Sequence, residues 1–251
     1  MNILIANDDG IEAEGIRRLA GALAEKGTVY VVAPDSQRSA SSHALSIHGE
    51  MKAEEVKDFP AAKKAWKLSG TPADCVKLGM DILRRQGIKT DIIYAGINHG
   101  ANLGTDTMYS GTVSAAAEGM MAGYPAVAVS VCSHFPKYFD AACDLAAKVF
   151  DRAMETAGKG YLISINTPDL PAEEIRGVRT ARLGTMTYDE WFEEKAENVF
   201  CYMGEPAKRT DHEEDIDVRL IDEGFATIST IKYDLNDYEA LKQAETWNIS
   251  L

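Results

Sequence analysis

After polar Asn2, residues 3–6 are an unbroken apolar run, and Asn7-Asp8-Asp9-Gly10 ends it. A short continuous run of this kind, stopped by turn residues, predicts a strand buried on both faces. After Gly10, Ile16, Leu19, Ala20 and Leu23 recur at helical spacing, and Gly27 stops that helix. The alternation continues: strands are predicted over residues 28–33, 91–95, 126–131 and 161–166, and helices over 73–85, 112–122 and 140–156. Strands alternating with helices imply right-handed βαβ units. The predicted fold is α/β, Rossmann-like: a mainly parallel sheet with flanking helices.

Beyond about residue 168 the rhythm fades. A polar, acidic stretch covers residues 188–217, short strands are predicted over 218–220 and 225–231, and a helix over 237–244 closes the chain. The chain reads as a single domain, 1–251, with a core over 1–170 and a C-terminal arm over 171–251 that packs on the core or on a neighbouring subunit.

Composition narrows the function classes. With 26 basic against 39 acidic residues the net charge is −13, which argues against general nucleic-acid or anionic-membrane binding, since both need a basic footprint. No apolar stretch reaches the roughly 18 residues of a membrane span. The strand begins at once with no basic leader or cleavage site, so the expected location is cytoplasmic. The four cysteines, Cys75, Cys132, Cys143 and Cys201, have no zinc spacing and are expected to be reduced.

Ligands in open α/β sheets bind beyond the carboxyl ends of the strands. Asp8 and Asp9 stand at such an end, and two adjacent carboxylates ionise together cheaply only beside a cation. Alone, Asp-Asp-Gly fits a solvated turn equally well. Further segments fall on the same rim: the hydroxyl-rich residues 33–43, the glycine-spaced residues 96–106, and residues 109–112, which open a helix. Asp8, Asp9, Ser39 and Asn98 together form an oxygen set suited to a hard divalent cation. The Ser110-Gly111-Thr112 helix start suits phosphate through its free N–H groups and dipole. Each of these residues, taken singly, also has an ordinary turn or capping role. His43 and His99 lie within the rim loops, whereas His48, His134 and His212 have no such setting. A P-loop, a GxGxxG turn, a GxSxG elbow and HExxH are all absent.

These segments resemble the SurE family, stationary-phase survival proteins that are metal-dependent 5'/3'-nucleotidases. The resemblance rests on residues 7–10; on Ala33-Pro34-Asp35 with Arg38-Ser39-Ala40; and on residues 69–76. It continues in Gly96-Ile97-Asn98 with Gly100, Asn102, Gly104 and Asp106, and in residues 109–113 with Glu118-Gly119. His99 and Thr107 depart from the usual pattern. The resemblance implies Mg²⁺ or Mn²⁺ held by Asp8, Asp9, Ser39 and Asn98, and phosphate contacts from Asn7, Asn98, Asn102, Ser110, Gly111 and Thr112. It implies hydrolysis of nucleoside monophosphates, with other phosphate esters or short polyphosphate as further substrates. It also implies a homodimer or homotetramer built through the arm. In the mechanism that follows, Asp8 or Asp9 positions the attacking water, and His43 or a coordinated water is the candidate acid.

Two other classes compete. A receiver-type Mg²⁺-binding signalling domain also carries an acidic pair after its first strand. It needs an acceptor Asp and a Lys at later strand ends, where this chain has Gly96, Asn98, Cys132-Ser133 and Asn166. A catalytically silent nucleotide-binding protein would keep the fold without turnover.

Overall fold

The computed structural model describes residues 1–207, 213–247 and 249; residues 208–212, 248, 250 and 251 of the expected arm, His212 among them, lie outside the described residues. In chain order the elements are β1 (Asn2–Ala6), α1 (Glu14–Leu23), β2 (Thr28–Pro34), β3 (Ala53–Val56), β4 (Lys64–Leu68), α2 (Pro72–Arg85) and β5 (Ile92–His99). They continue with α3 (Gly111–Met121), β6 (Ala126–Val131), α4 (Asp140–Lys148), α5 (Phe150–Met154) and β7 (Tyr161–Thr167). After these come β8 (Val178–Thr180), β9 (Tyr188–Ala196), β10 (Val199–Pro206), α6 (Asp217–Asp222), β11 (Ala226–Lys232) and α7 (Tyr238–Ala244).

β1 lies near the middle of a nine-stranded sheet ordered β3-β4-β2-β1-β5-β6-β7-β11-β8. Its side chains alternate between the two faces. Ile3 and Ile5 join α1, α4 and α5 through Ile16, Leu19, Leu145 and Phe150. Leu4 and Ala6 join α2 and α3 through Val76, Leu83, Val113 and Met120. Helices cover both faces, so the strands read as continuous apolar runs. Pairing is parallel from β4 through β7; β3 and β11 join antiparallel to β4 and β7. The expected α/β class is the observed one.

Three expectations need correction. Residues 218–220 are not a strand but part of α6, where Val218, Leu220 and Ile221 are buried and the Asp217 carboxylate accepts the Val218 N–H at 2.8 Å. Two apolar residues on either side of Arg219 do not distinguish the two states. Residues 140–156 form two helices that meet at Val149; the break sets Phe150 under the sheet, stacked on Tyr94 at 6.4 Å between ring centroids. Within the polar stretch 188–217, β9 and β10 pair only with each other, as an antiparallel hairpin outside the main sheet. Asn198, at φ 59°, makes its tight turn.

β3 and β4 were not anticipated. β8 and β11 complete the main sheet, so the chain beyond residue 170 contributes to the core as well as leaving it. Among the described residues, no helix is long and apolar enough to cross a membrane.

Candidate active site

Asn7 shapes the turn that carries the acidic pair. Its side-chain Nδ2 donates to the Gly10 carbonyl at 2.9 Å, and its Oδ1 accepts the Gly10 N–H at 3.2 Å. Gly10 sits at φ +99°, a conformation costly for any residue with a Cβ. Asp8 points toward the start of α3, where its Oδ1 accepts the Thr112 hydroxyl at 2.5 Å. Asp9 points toward the end of β5, where its Oδ2 accepts the His99 backbone N–H at 2.9 Å.

The end of β5 is irregular. Its register against β6 shifts between Ala95 and Asn98, as a bulge does. A Cβ at Gly96 would lie 2.2 Å from the Val129 carbonyl oxygen, so only glycine permits the approach. Beyond the bulge, Asn98 is buried and its Nδ2 donates to the Gly100 carbonyl at 2.9 Å. That bond fixes the amide plane, and Oδ1 has the chemistry of a neutral ligand.

Burial pushes both carboxyl groups up. Asp8 rises to about 6, chiefly through desolvation and further through the charge of Asp9, against the lowering effect of Thr112. Asp9 also rises to about 6 through desolvation, opposed by its bond to the His99 amide. Two carboxylates on one rim, each costly to ionise, are the arrangement that a cation would stabilise. Among the described residues no three His, Cys, Asp or Glu side chains converge as a metal cluster. A cation here would therefore complete its shell with neutral oxygens and water, which suits a hard ion.

Ser39 is brought to Asp9 by Gln37, whose amide Nε2 donates to Ser39 Oγ at 2.9 Å and lies 3.5 Å from Asp9 Oδ1. The same loop is tied to β1 where the Arg38 N–H meets the Asp8 carbonyl at 2.7 Å. Ser110 caps α3, its Oγ accepting the Val113 N–H at 3.0 Å. Thr112 turns toward Asp8 through its hydroxyl and its backbone N–H. Asn102 holds the rim together: Nδ2 donates to Ser130 Oγ at 2.7 Å, and its backbone pairs with Asn166. The ring of His99 packs on Phe139 at 5.6 Å. His43 does not face this pocket: Nε2 lies 2.7 Å from Glu118 Oε1, and Nδ1 contacts the Tyr233 hydroxyl.

Gln37 and Glu118 were given no role on sequence grounds. A loop glutamine carries no pattern. Glu118 does carry one, as a lone charge in the small and apolar run of residues 113–121; it is 4% exposed and also accepts Lys77 Nζ at 2.7 Å.

A sequence profile described as "Survival protein SurE" matches residues 3–190. A protein named 5'-nucleotidase SurE from Synechococcus sp. (strain JA-3-3Ab) is 41% identical, covering 100% of this chain and 98% of that one. Its namesake from Gloeobacter violaceus is 44% identical over 94% of this chain and 91% of its own length. The crystal structure of the SurE protein from Aquifex aeolicus superimposes with a TM-score of 0.83 at 30% identity, over 98% of each chain.

Proposed function

The chain belongs to the SurE family, and from that premise we infer that it is a metal-dependent nucleotidase, a phosphomonoesterase. We propose that it hydrolyses nucleoside monophosphates to nucleoside and phosphate at the rim formed by β1, β5 and the start of α3, with Mg²⁺ or Mn²⁺ held by Asp8, Asp9, Ser39 and Asn98. The observation that carries this reading is the adjacent acidic pair, Asp8 buried and Asp9 half-buried, with both carboxyl groups raised to about 6.

A bound divalent cation would offset this charge, polarise a phosphoryl oxygen and acidify water. The chain's own residues do the rest. Asp8 is buried and engaged by Thr112, so it serves as a fixed ligand. Asp9 is less buried and keeps Oδ1 toward the Gln37 side of the pocket, so it orients the attacking water and takes its proton. The Ser110-Gly111-Thr112 turn supplies the positive end of α3 to the phosphate, helped by Asn98. Asn7 and Asn102 shape the loops that carry these groups. The C-terminal arm joins two or four copies, a reading supported by exposed apolar side chains such as Leu235, Leu241 and Trp247.

The test is hydrolysis of p-nitrophenyl phosphate, then of nucleoside monophosphates, sugar phosphates and short polyphosphate, with Mn²⁺ or Mg²⁺ and after EDTA. Metal-dependent release of phosphate from nucleoside monophosphates is expected. Nucleotide binding with no release under any divalent ion would identify a silent binding protein instead.

A further inference from the structure

The loop that carries Ser39 departs from β2 and crosses the rim before the chain returns to β3. Ser39 has one link of its own to the acidic pair, through Gln37. Its position therefore depends on how the flanking residues are held. On the near side, the Arg38 N–H bonds the Asp8 carbonyl at 2.7 Å. On the far side, Ser42 donates its N–H to the Tyr109 carbonyl at 3.0 Å and its hydroxyl to the Met108 carbonyl at 2.8 Å. Ala40 and Ser42 both sit at positive φ, 52° and 50°, which side-chain-bearing residues adopt only where their surroundings hold them.

His43 supplies a longer-range hold. Its Nε2 reaches Glu118 on α3 at 2.7 Å, 75 residues on in the chain. Its Nδ1 meets the hydroxyl of Tyr233, which directly follows β11. A neutral imidazole satisfies both partners at once, donating through Nε2–H and accepting from the tyrosine through Nδ1. Glu118 is buried and has Lys77 at 2.7 Å on its other oxygen. A buried carboxylate with a charged donor on one oxygen and a ring N–H on the other is a rigid anchor, because losing either partner leaves a desolvated charge underpaired.

We propose that His43 is a positioning residue: by clasping the buried carboxylate of Glu118 it sets where Ser39 stands relative to Asp8 and Asp9. This rests on the reading of Ser39 as a ligand. The role differs from that of a proton donor, for which His43 is already committed at both ring nitrogens. The clasp also connects the root of the C-terminal segment, through Tyr233, to the metal-binding loop.

The test uses the full chain with His43→Ala, His43→Gln and Glu118→Gln, and exposed His48→Ala as a control. Hydrogen exchange in the metal-free protein is expected to quicken across residues 38–46 in His43→Ala and Glu118→Gln, with partial restoration in His43→Gln, whose amide can still donate to Glu118. The Mn²⁺ concentration needed for half-activation is expected to rise roughly ten- to hundred-fold, as for residues that orient a metal ligand, while kcat at saturating Mn²⁺ stays close to that of the parent. His43→Ala with unchanged exchange and unchanged Mn²⁺ requirement overturns the proposal. So does a loss of kcat without a shift in Mn²⁺ requirement, the pattern of a proton-transfer group. If the parent protein shows no metal-dependent hydrolysis, the functional reading fails, and the exchange measurement still decides the clasp.

Discussion

Gly111 and Asp8 are packed so closely that a methyl group on Gly111 would stand 2.9 Å from both the Cβ and Oδ2 of Asp8. Alanine is otherwise favoured over glycine in a helix by about 1 kcal/mol. Gly111→Ala is therefore expected to keep the fold while displacing Asp8. Metal-dependent phosphatase activity should fall about ten-fold or more, as for residues that orient a metal ligand, with a small change in Tm. Unaltered kinetics in a correctly folded variant would show that Asp8 tolerates the shift.

Asp8→Asn separates stability from activity. The carboxylate is buried and its pKa is raised to about 6, so near pH 7 its charge works against folding of the metal-free protein. Removing it should raise metal-free stability by roughly 1–3 kcal/mol, since one pKa unit corresponds to about 1.4 kcal/mol. Hydrolysis should fall at least about a hundred-fold, and Mn²⁺ should lose most of its effect on Tm. Thermal melts with and without Mn²⁺ beside a phosphatase assay read all three.

The pH dependence has a definite sign. Asp8 and Asp9 move from the usual 3.8 to about 6 on folding, so between those values the folded state holds protons that the unfolded chain has released. Their contribution is fully present below about pH 4 and is lost as pH rises through about 6. Urea melts in EDTA should show this as a stability difference between the parent and an Asp8→Asn, Asp9→Asn double variant that widens against the parent from pH 4 to 7. Mn²⁺ competes with the same protons, so its binding should weaken steeply below pH 6. A binding curve flat across that range would remove the acidic pair from the site.

Asp217 is a purely structural test. Fully buried, it accepts N–H groups from Gly104, Gly184 and Val218, each at 2.8 Å. Asp217→Ala strands two buried donors and a half-buried one and should cost roughly 3 kcal/mol or more, seen as a fall in the urea midpoint. Asp217→Asn retains one acceptor oxygen and should lose less.

The contrast between Asp8 and Asp217 explains what the sequence made legible. Asp8 and Asp9 end an apolar run, so the sheet's own rule about strand ends points to them. Ser39 and Ser110 fall in loops located by the same rhythm, and Asn98 falls at the end of β5. Asp217 lies 113 residues from its Gly104 partner in a segment without periodicity, and nothing local marks it. The β9–β10 hairpin was missed because charged residues and exposed aromatics such as Trp191, Phe192 and Tyr202 occupy both of its faces, which erases the two-residue alternation of a half-buried strand. Gln37 acts through side-chain contacts that no pattern records; Glu118 is marked as a lone charge in its run, but its partners, 41 and 75 residues away, are not; Asn102, expected at the phosphate, bonds Ser130 and Asn166.

The central position of β1 has a consequence for how the molecule comes into being. The acidic pair leaves the ribosome well before its neighbours: the His99 amide is 90 residues on and the Thr112 hydroxyl 104. Until then β1 has only β2 and β4 on one side and open water on the other, and two repelling charges at its tip stay solvated. Pairing of β5 with β1 and docking of α3 both close long loops, a slow class of folding event. The rim therefore forms only once β5 and α3 have been made, and a nascent chain that ends before α3 presents these acids to solvent with no pocket around them.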